Sequence, residues 1–283
     1  MKLFYFVIFA ILLSSCSRDK NTSLKIGRNK ANHIVNSEIQ SVIDSSEVVG
    51  SVLIYDFQNG TYYSNNFNWA KKGKLPASTF KIVNSIIALE TGIVKDDSTI
   101  FKWDGKERWL KQWEQDLSLR DAFHYSCVPC FQDVARNIGE KRMNEYLNIL
   151  EYDNMKIDSN SVDLFWLEGD SRISQFQQID FLKRFYESKL PISRRTEVIM
   201  KRMMVIEDND NYRLSGKTGW SNSTGTDNGW FVGYVELGIE TYFFATNIEP
   251  KEKCNMDKFP MIRKTITFEA FNKLDIIINK TNY

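Results

Sequence analysis

The sequence lacks an excess of charge of either sign. Its 283 residues include 37 Lys and Arg against 36 Asp and Glu, which leaves a formal net charge of +1 at pH 7. Binding of nucleic acid usually requires a strong basic field, so this balance predicts no nucleic-acid partner. The chain is long enough for one large domain or two small ones, with ample apolar material for a core.

Long apolar runs are absent beyond the N-terminus, so no later segment of the sequence is predicted to span a bilayer. The N-terminus itself differs from the rest. Lys2 is followed by an apolar run over 3–13 and then by small residues that end at Cys16. A charged start, a short apolar run and small residues at its end are typical of a secretory signal, which we place at 1–16. The polar residues that follow predict a linker over 17–30.

Leu13-Ser14-Ser15-Cys16 resembles the bacterial lipobox, in which the cysteine is lipidated and becomes the mature N-terminus. Lipidation of Cys16 would hold the protein at a membrane surface through acyl chains, without a spanning segment. The alternative is an ordinary signal peptide that is cleaved nearby. Both predict export, and the first predicts a periplasmic protein that is anchored to a membrane by lipid alone.

Cysteine and histidine are scarce. After Cys16 only Cys127, Cys130 and Cys254 remain, and an odd number in an exported chain argues against a disulfide framework. Cys127-Val128-Pro129-Cys130 has the spacing of a thioredoxin-type redox pair, and His124 lies close before it. The pair lacks a βαβ context and the chain has only 2 histidines, which disfavours redox chemistry or a metal site. We interpret these cysteines as small buried hydrophobic residues.

Hydrophobic periodicity predicts strands near both ends of the chain and helices between them. Asn59-Gly60 is typical of a tight turn between two strands, and Gly238 is expected to turn a second hairpin. Thr91-Gly92 is expected to end a helix that begins at Ser78. The predicted strands are 48–56, 61–64, 212–218, 230–236 and 241–247, and the predicted helices include 78–89, 131–150, 173–190 and 259–271.

Strands from both chain ends predict a fold of the α+β class with a central antiparallel sheet. Helical periodicity dominates residues from about 98 to 202, which we expect to form a helical lobe within a domain over 31–283. A substrate is expected in the cleft between the sheet and this lobe.

The first candidate for chemistry is Pro76-Ala77-Ser78-Thr79-Phe80-Lys81. A serine becomes an effective nucleophile only when a base within hydrogen-bonding reach removes its proton. Positions i and i+3 share a helix face, so Lys81 can reach Ser78 if a helix begins there. The N-terminus of that helix also favours developing negative charge. Ser17 and Lys20 have the same spacing but lie in the predicted linker, where we expect no role.

Two further segments are ambiguous when they are taken alone. Lys217-Thr218-Gly219 follows a strand-like segment, where a cation would attract an anionic substrate and glycine would let the backbone approach it. An exposed strand end with a turn is the better explanation of that segment by itself. Ser126-Cys127-Val128 by itself indicates no more than a helix-capping or hydrogen-bonded serine.

Together, the order Ser-x-x-Lys, a serine element and Lys-Thr-Gly resembles that of the penicillin-recognising serine enzymes. The middle element here is Ser126-Cys127-Val128, where class A β-lactamases and penicillin-binding proteins have Ser-Asp-Asn, and this Ser-x-Val form is similar to that of class D β-lactamases. The resemblance covers residues from about 75 to 271. Segments that agree with it are Phe101-Lys102-Trp103-Asp104-Gly105, Trp113-Glu114-Gln115-Asp116-Leu117, Phe165-Trp166-Leu167-Glu168-Gly169 and Gly229-Trp230-Phe231-Val232-Gly233.

The resemblance implies a β-lactamase/penicillin-binding transpeptidase-like fold and hydrolysis of β-lactam antibiotics through an acyl-enzyme on Ser78. It further implies that carbon dioxide carboxylates Lys81, which then serves as the general base, with no metal and no other cofactor. Only a neutral amine reacts with carbon dioxide, so Lys81 must be buried, and Phe80 and Val128 are the expected wall residues. Trp166 would donate its indole N–H to the carbamate.

The remaining roles are also implied by the resemblance. Ser126 would relay a proton to the lactam nitrogen under the influence of Lys217, and the N–H groups of Ser78 and Trp220 would form the oxyanion hole. Arg263 would hold the substrate carboxylate, and a surface helical arginine is the alternative. The other positions that match the family's cleft are Thr218, Gly219, Leu110 and Trp113, although core packing accounts equally well for Trp113.

One segment departs from the family pattern. The family usually has Tyr-Gly-Asn or Phe-Gly-Asn where this chain has Tyr152-Asp153-Asn154. Aspartate tolerates a left-handed backbone better than most residues, so we expect the turn to persist. With this departure, the resemblance predicts no substrate preference tied to that motif.

Three other functions use the same scaffold. A β-lactam sensor domain is acylated without turnover, but it needs transmembrane helices that the sequence does not predict. A penicillin-binding protein acts on cell-wall peptides and deacylates slowly, and Trp166 with Val128 as support for a carbamate favours the β-lactamase instead. A structural protein with a decayed site is disfavoured by the intact motif residues. We expect a monomer or a homodimer.

Overall fold

The computed structural model describes Met1 and residues 31–223 and 225–277. Three predictions lie outside these described residues, apart from Met1 itself. They are the secretory signal at 1–16, the lipidation site at Cys16 and the linker at 17–30. The helices and strands of the described residues belong to the unit that begins at Ala31.

The elements alternate along the chain much as the periodicity predicts. The α-helices are α1 (Ser37–Asp44), α2 (Phe67–Ala70), α3 (Lys81–Glu90), α4 (Leu119–His124), α5 (Val128–Ile138), α6 (Glu140–Ile149), α7 (Gln175–Tyr186), α8 (Arg194–Met203) and α9 (Phe259–Lys273). The strands are β1 (Asn32–Val35), β2 (Val48–Asp56), β3 (Thr61–Ser64), β4 (Ile100–Phe101), β5 (Leu117–Ser118), β6 (Val205–Asp208), β7 (Arg213–Ser221), β8 (Asn228–Leu237) and β9 (Glu240–Pro250). Short 3-10 helices occupy Ala77–Phe80 and Lys111–Trp113.

Seven strands form one sheet in the order β1-β3-β2-β9-β8-β7-β6. Neighbouring strands are antiparallel except β1 and β3, which are parallel. The sheet is therefore mixed, and the prediction of an antiparallel sheet is wrong for its β1 edge. Strands β1 to β3 come from the N-terminal part and β6 to β9 from the C-terminal part, which confirms that both chain ends build the sheet.

The sheet has apolar cover on both faces, and alternate residues of a strand serve the two faces. In β2, Leu53 belongs to one core, while Val52 and Ile54 belong to the other. In β8, Trp230 and Phe231 divide in the same way. Side chains of α1 and α9 complete the second core and those of the helical lobe complete the first, so the central strands are buried on both sides.

The predicted helix over 131–150 is wrong in one respect, because two helices occupy it. Gly139 has φ of 78° and separates α5 from α6. Glycine adopts a left-handed conformation without the steric cost of a Cβ, which makes it a natural end for α5. The other helix predictions are confirmed as the 3-10 turn that continues into α3, as α7 and as α9.

Cys127 and Cys130 are joined by a disulfide at the start of α5. The interpretation of both as unpaired buried cysteines is wrong. The turn that begins α5 brings their Cα atoms to 5.5 Å, within the range that a disulfide requires. Cys254 accounts for the odd number, since it is left as a free thiol.

Residues 31–223 and 225–277 lack a membrane-spanning helix and a metal-binding cluster. No helix in this part of the chain combines the length and the apolar character needed to cross a membrane. In the same part, no group of three or more His, Cys, Asp or Glu side chains could hold a metal ion. The two histidines lie on separate elements, His33 on β1 and His124 at the end of α4.

Candidate active site

Ser78 lies in the first turn of the 3-10 helix that runs into α3. The segment before it is anchored to β8, because the carbonyl of Leu75 accepts hydrogen bonds from the Asn228 side chain (2.9 Å) and the Trp230 indole (2.8 Å). Ala77 has φ of 51°, a left-handed conformation that is uncommon for a residue with a Cβ. The turn held in this way brings Ser78 to the surface of a cavity, with 6% of the residue exposed.

Lys81 begins α3 and is completely buried. Its Nζ donates a hydrogen bond to Ser78 Oγ at 2.8 Å, which confirms the contact expected from the i, i+3 spacing. The same Nζ lies 5.1 Å from the centre of the Phe131 ring. Burial lowers the pKa of Lys81 to about 7, because the charged form loses its hydration. A substantial fraction of this amine is therefore uncharged at neutral pH.

An aromatic wall stands beside this pair. Phe80 and Trp166 are fully buried and stack with ring centres 5.6 Å apart. The carbonyl of Trp166 accepts a hydrogen bond from the N–H of Ala77 at 2.8 Å, which ties the wall to the serine turn. The indole N–H of Trp166 is buried and has no hydrogen-bond partner among the described residues. Buried polar groups are normally paired, so a donor of this kind is suited to bind a small anion.

Ser126 and Lys217 meet across the cleft. Ser126 lies between α4 and α5, whereas Lys217 lies on β7. The Nζ of Lys217 donates hydrogen bonds to Ser126 Oγ and to the carbonyl of Thr218, the latter at 3.0 Å. Burial lowers the pKa of Lys217 well below its usual range, and the positive charges of Lys81 and Arg263 lower it further.

Strand β7 passes so close to the serine turn that a side chain at position 219 would crowd it. A Cβ on Gly219 would lie 3.2 Å from both the Ser78 nitrogen and the Pro76 oxygen. The sequence predicted that this glycine permits a close backbone approach to a substrate, and the structure shows a close approach to the serine turn. The next residue, Trp220, lines the same cavity as Ser78.

Arg263 projects from α9 toward the end of β7. Its Nη1 donates a hydrogen bond to the carbonyl of Gly219 at 2.7 Å, and its Nε is buried without a partner in the described part of the chain. Only 8% of the residue is exposed, which rules out the alternative of a surface arginine. Burial lowers the pKa of Arg263 to about 10, so the guanidinium stays charged at neutral pH.

These residues surround a cavity of about 610 Å³. Trp113 has both of the roles that the sequence left open, because it lines the cavity, is 7% exposed and donates its indole N–H to the carbonyl of Tyr125 at 2.9 Å. Lys81, Lys217 and Trp166 are buried beneath the lining rather than on it. The predicted residues that line the cavity are Ser78, Leu110, Trp113, Ser126, Val128, Thr218, Gly219, Trp220 and Arg263.

Several lining residues were not predicted, and Trp109 is the most prominent. It is 74% exposed, and its ring centre lies 6.1 Å from that of Trp113 and 5.9 Å from that of Trp220. Trp109 thereby connects the lobe side of the cavity mouth with β7. A bulky aromatic residue directly before Leu110 was the only signal in the sequence. The other unpredicted lining residues are Gln112, His124, Tyr125, Ser221, Asn222, Met256, Asp257 and Pro260.

The segment Tyr152-Asp153-Asn154 turns without a left-handed aspartate. The left-handed positions are Glu151 (φ 51°) and Asn154 (φ 64°). Tyr152 is buried and its ring centre lies 5.9 Å from that of Phe80. The segment therefore supports the aromatic wall from behind.

Comparison with known sequences identifies the family. The chain matches the model of the penicillin-binding protein transpeptidase domain over residues 43–265. It is 43% identical to β-lactamase OXA-5 of Pseudomonas aeruginosa over 238 residues, which cover 83% of this chain and 87% of that protein. It is 41% identical to β-lactamase OXA-48 of Klebsiella pneumoniae over 228 residues, which cover 81% of this chain and 84% of that protein.

Solved structures agree with the sequence matches. The class D β-lactamase of Sebaldella termitidis superposes with a TM-score of 0.83 at 37% identity, covering 88% of this chain and 100% of that one. The class D β-lactamase YbXI from Nostoc superposes with a TM-score of 0.81 at 40% identity, covering 86% of this chain and 100% of that one. The fold, the motif geometry and these likenesses together place the chain in the class D, OXA-type family of β-lactamases, as a hydrolase of β-lactams.

Proposed function

We propose that the chain hydrolyses β-lactam antibiotics through an acyl-enzyme on Ser78, with a carboxyl group on the Nζ of Lys81 as the general base for acylation and deacylation. The observation that supports this most directly is the buried amine of Lys81, with a pKa of about 7, at 2.8 Å from the Ser78 hydroxyl. Only an uncharged amine can react with carbon dioxide, and burial is what disfavours the charged form here.

The surroundings of Lys81 fit such a carboxyl group. The buried indole N–H of Trp166 has no partner in the described part of the chain, and a carboxylate accepts hydrogen bonds from donors of this kind. Phe80 and Phe131 exclude water from the same region, since both are fully buried. When present, the carboxyl group supplies a carboxylate that can accept the Ser78 proton and later a proton of the hydrolytic water. No metal and no cofactor other than carbon dioxide or bicarbonate is proposed.

Acylation forms a bond between Ser78 Oγ and the lactam carbonyl carbon and breaks the bond from that carbon to the lactam nitrogen. The Ser78 proton passes to the base at Lys81, whose Nζ lies 2.8 Å from Ser78 Oγ. Ser126 relays a proton to the departing nitrogen, since it gives up its hydroxyl proton and regains the one that left Ser78. Lys217, which is hydrogen-bonded to Ser126, favours this transfer through its positive charge. The N–H groups of Ser78 and Trp220 are proposed to bind the carbonyl oxygen while negative charge develops on it.

Arg263 is proposed to hold the carboxylate of the substrate. Arg263 lines the cavity, its guanidinium is charged at neutral pH, and its Nε has no hydrogen-bond partner among the described residues. A guanidinium binds a carboxylate through two parallel hydrogen bonds, which fixes orientation as well as position. Thr218 offers a hydroxyl on the same wall, while Leu110 and Val128 offer apolar surface opposite.

We also propose that the enzyme is exported to the periplasm and held at a membrane by lipid on Cys16. The support is the short apolar run and the Leu13-Ser14-Ser15-Cys16 segment in the sequence. The variant Cys16→Ser is expected to move from the membrane fraction to the soluble fraction on centrifugation. A wild-type chain found only in the soluble fraction would contradict the anchor.

Turnover of nitrocefin by the purified full chain, with and without added bicarbonate, tests the mechanism. As the pH falls from about 8 to about 5, Lys81 gains a proton around its pKa of about 7 and loses the capacity to hold a carboxyl group. The rate is therefore expected to fall with the pH, and bicarbonate is expected to offset part of the loss. Ser78→Ala serves as the control without a nucleophile. Rates that respond to neither bicarbonate nor pH would overturn the carboxylation while leaving serine acylation intact.

A further inference from the structure

The disulfide between Cys127 and Cys130 takes no part in the mechanism above, yet it lies within one of the motifs of the site. Cys127 directly follows Ser126 and is 1% exposed. The ring that the disulfide closes also contains Val128, which lines the cavity. The bond therefore restrains the chain next to both of these site residues.

The turn at Ser126 needs such a restraint. Ser126 has φ of 53°, in the left-handed region that residues with a Cβ seldom adopt. Its N–H donates to the Phe123 carbonyl at 3.2 Å, and the N–H of Cys127 donates to the Ala122 carbonyl at 2.8 Å. A conformation of this kind persists only where the surrounding structure enforces it.

Helix α5 begins at the same point and has an unusual cap. Cys127 occupies the capping position, where Ser, Thr, Asp or Asn normally accepts a hydrogen bond from the first turn. Its sulfur accepts a hydrogen bond from the N–H of Cys130 at 3.3 Å, and sulfur is a weak acceptor. The covalent bond across the same turn reinforces this weak cap. One turn later α5 places Phe131 against Lys81.

We propose that Cys127 and Cys130 are positioning residues, whose disulfide holds Ser126 and the start of α5 in the arrangement that acylation needs. Reduction of this bond slows acylation while the fold persists. Two free thiols cannot approach as closely as two bonded sulfurs, so reduction widens the first turn of α5 and moves Ser126 with it. The inference rests on the proposed role of Ser126 as the proton donor.

The redox step requires an external dithiol. Cys130 is half-buried whereas Cys127 is buried, so the attacking thiolate reaches the Sγ of Cys130. The disulfide bond breaks, and its electron pair leaves on the Sγ of Cys127, which takes a proton. The second thiol of the reductant then displaces Cys130 and closes the disulfide of the reductant, so the protein gains two electrons and two protons. An oxidising compartment outside the cytoplasm would keep the bond formed.

The test compares the full chain, purified in air, before and after treatment with dithiothreitol. Mass spectrometry of the peptide that contains both cysteines verifies the gain of two hydrogens. A fluorescent penicillin reports acylation of Ser78, and nitrocefin reports turnover. We expect the acylation rate to fall roughly three- to thirtyfold, as for the loss of a helix cap, and to recover on reoxidation. The deacylation rate is expected to change little, whereas a merely structural disulfide would lower the Tm without changing the ratio of the two rates.

Three variants serve as controls. Cys127→Ala/Cys130→Ala removes both sulfurs, so its acylation rate is expected to be the same with and without the reductant. Cys254→Ser removes the free thiol outside the pair and is expected to respond as the wild type does. Cys127→Ser/Cys130→Ala restores a hydroxyl cap, so it is expected to acylate faster than the double alanine variant.

Two outcomes would overturn the inference. One is a verified reduced wild type that acylates as fast as the oxidised chain, and the other is a chain purified in air with both thiols free. The proposed role of Ser126 is tested separately by Ser126→Ala. If that variant acylates at the wild-type rate, the proton-donor role fails, even where reduction slows the wild type.

Discussion

Two lysines are buried on opposite walls of one cleft, and they differ in what surrounds the amine. Lys81 lies on the helical wall, at the start of α3, and none of it is exposed. Lys217 lies on the strand wall, in β7, and 4% of it is exposed. Burial lowers the pKa of both, so burial alone does not distinguish their roles.

Their partners distinguish them. The Nζ of Lys81 donates to Ser78 and otherwise faces an aromatic ring, that of Phe131. The Nζ of Lys217 donates to Ser126 and to the backbone carbonyl of Thr218. The Nζ of Lys217 also lies near a ring, 5.6 Å from the centre of Phe123, so the difference is in the acceptors. An ammonium needs acceptors for its protons, and among the described residues the strand wall offers two and the helical wall one. The helical wall therefore suits an uncharged amine, and the strand wall suits a cation.

The two lysines also act on each other. A positive charge on Lys81 lowers the pKa of Lys217. With the proposed carboxyl group, Lys81 carries a negative charge instead, so its effect reverses and raises the pKa of Lys217. We therefore propose that Lys217 keeps its positive charge when the carboxyl group on Lys81 replaces the positive charge there.

Lys81→Ala is expected to have the largest effect, because it removes the proposed base from the helical wall. Deacylation should slow by roughly 10²- to 10⁴-fold, the usual contribution of a general base. Intact mass spectrometry after mixing with a penicillin should show an acyl-enzyme that persists. Lys141→Ala, at a side chain that is 89% exposed on α6, is the matched control and should turn over as the wild type does. Rapid release of the acyl group by Lys81→Ala would contradict the assignment of the base to Lys81, and with it the contrast between the two lysines.

Lys217→Ala is expected to have the next largest effect, on the opposite step. Without a cation beside Ser126, acylation should slow by about 10²- to 10³-fold, while deacylation changes much less. Stopped-flow measurement of acylation separates the two steps. Because Lys217 acts through Ser126, the double variant Lys217→Ala/Ser126→Ala should be little slower than Ser126→Ala alone. Fully additive losses would show that the two side chains act independently.

In the seven-stranded sheet, β2, β3, β7, β8 and β9 were predicted, and the edge strands β1 and β6 were not. Strands β2 and β3 flank an Asn-Gly turn, and β8 and β9 flank a turn at Gly238, so local sequence determines both hairpins. Strand β1 has only four residues and all of them are exposed, so it has no burial pattern to detect. Its parallel pairing with β3 depends on tertiary contacts, which no local pattern in the sequence encodes.

The residues of the site also fall into those that local sequence predicts and those that it does not. The contact between Ser78 and Lys81 is local helix geometry and follows from their spacing. The approach of Arg263 to Gly219 joins α9 to β7, so its prediction depended on the family resemblance rather than on spacing. Trp109 had neither a motif nor a periodic pattern, and only the fold shows that it meets Trp220.

The disulfide was mispredicted for a different reason. An odd number of cysteines describes the whole chain, whereas pairing is decided where the residues lie. Cys127 has a non-helical backbone before α5, and this turn brings Cys130 within bonding range. A short spacing at the predicted start of a helix deserves more weight than the total number of cysteines.

Trp166→Phe is expected to have a smaller and reversible effect on the helical wall. The variant keeps a ring to stack on Phe80 and loses only the buried N–H donor. A hydrogen bond to a charged group of this kind corresponds to roughly 10- to 100-fold, so turnover should fall by that much at ambient bicarbonate and recover when bicarbonate is added. Trp113→Phe, which loses a donor that binds the Tyr125 carbonyl, is the control and should leave the bicarbonate response unchanged. A loss that bicarbonate does not reverse would assign Trp166 a packing role only.

Arg263→Gln is expected to have the smallest effect, and it asks whether the strand wall binds substrate as well as supplying charge. Removal of the guanidinium should raise KM about tenfold and leave kcat nearly unchanged, because a charge-assisted hydrogen bond to a carboxylate is lost in both ground and transition states. Steady-state kinetics with a penicillin measures both constants, and thermal melting checks that the contact with Gly219 is not structurally essential. Arg263→Lys keeps the positive charge but lacks the planar guanidinium, so its KM should lie between those of the wild type and Arg263→Gln. If kcat falls and KM stays unchanged, Arg263 acts on the chemistry by holding the end of β7. The strand wall then has no separate role in binding the substrate.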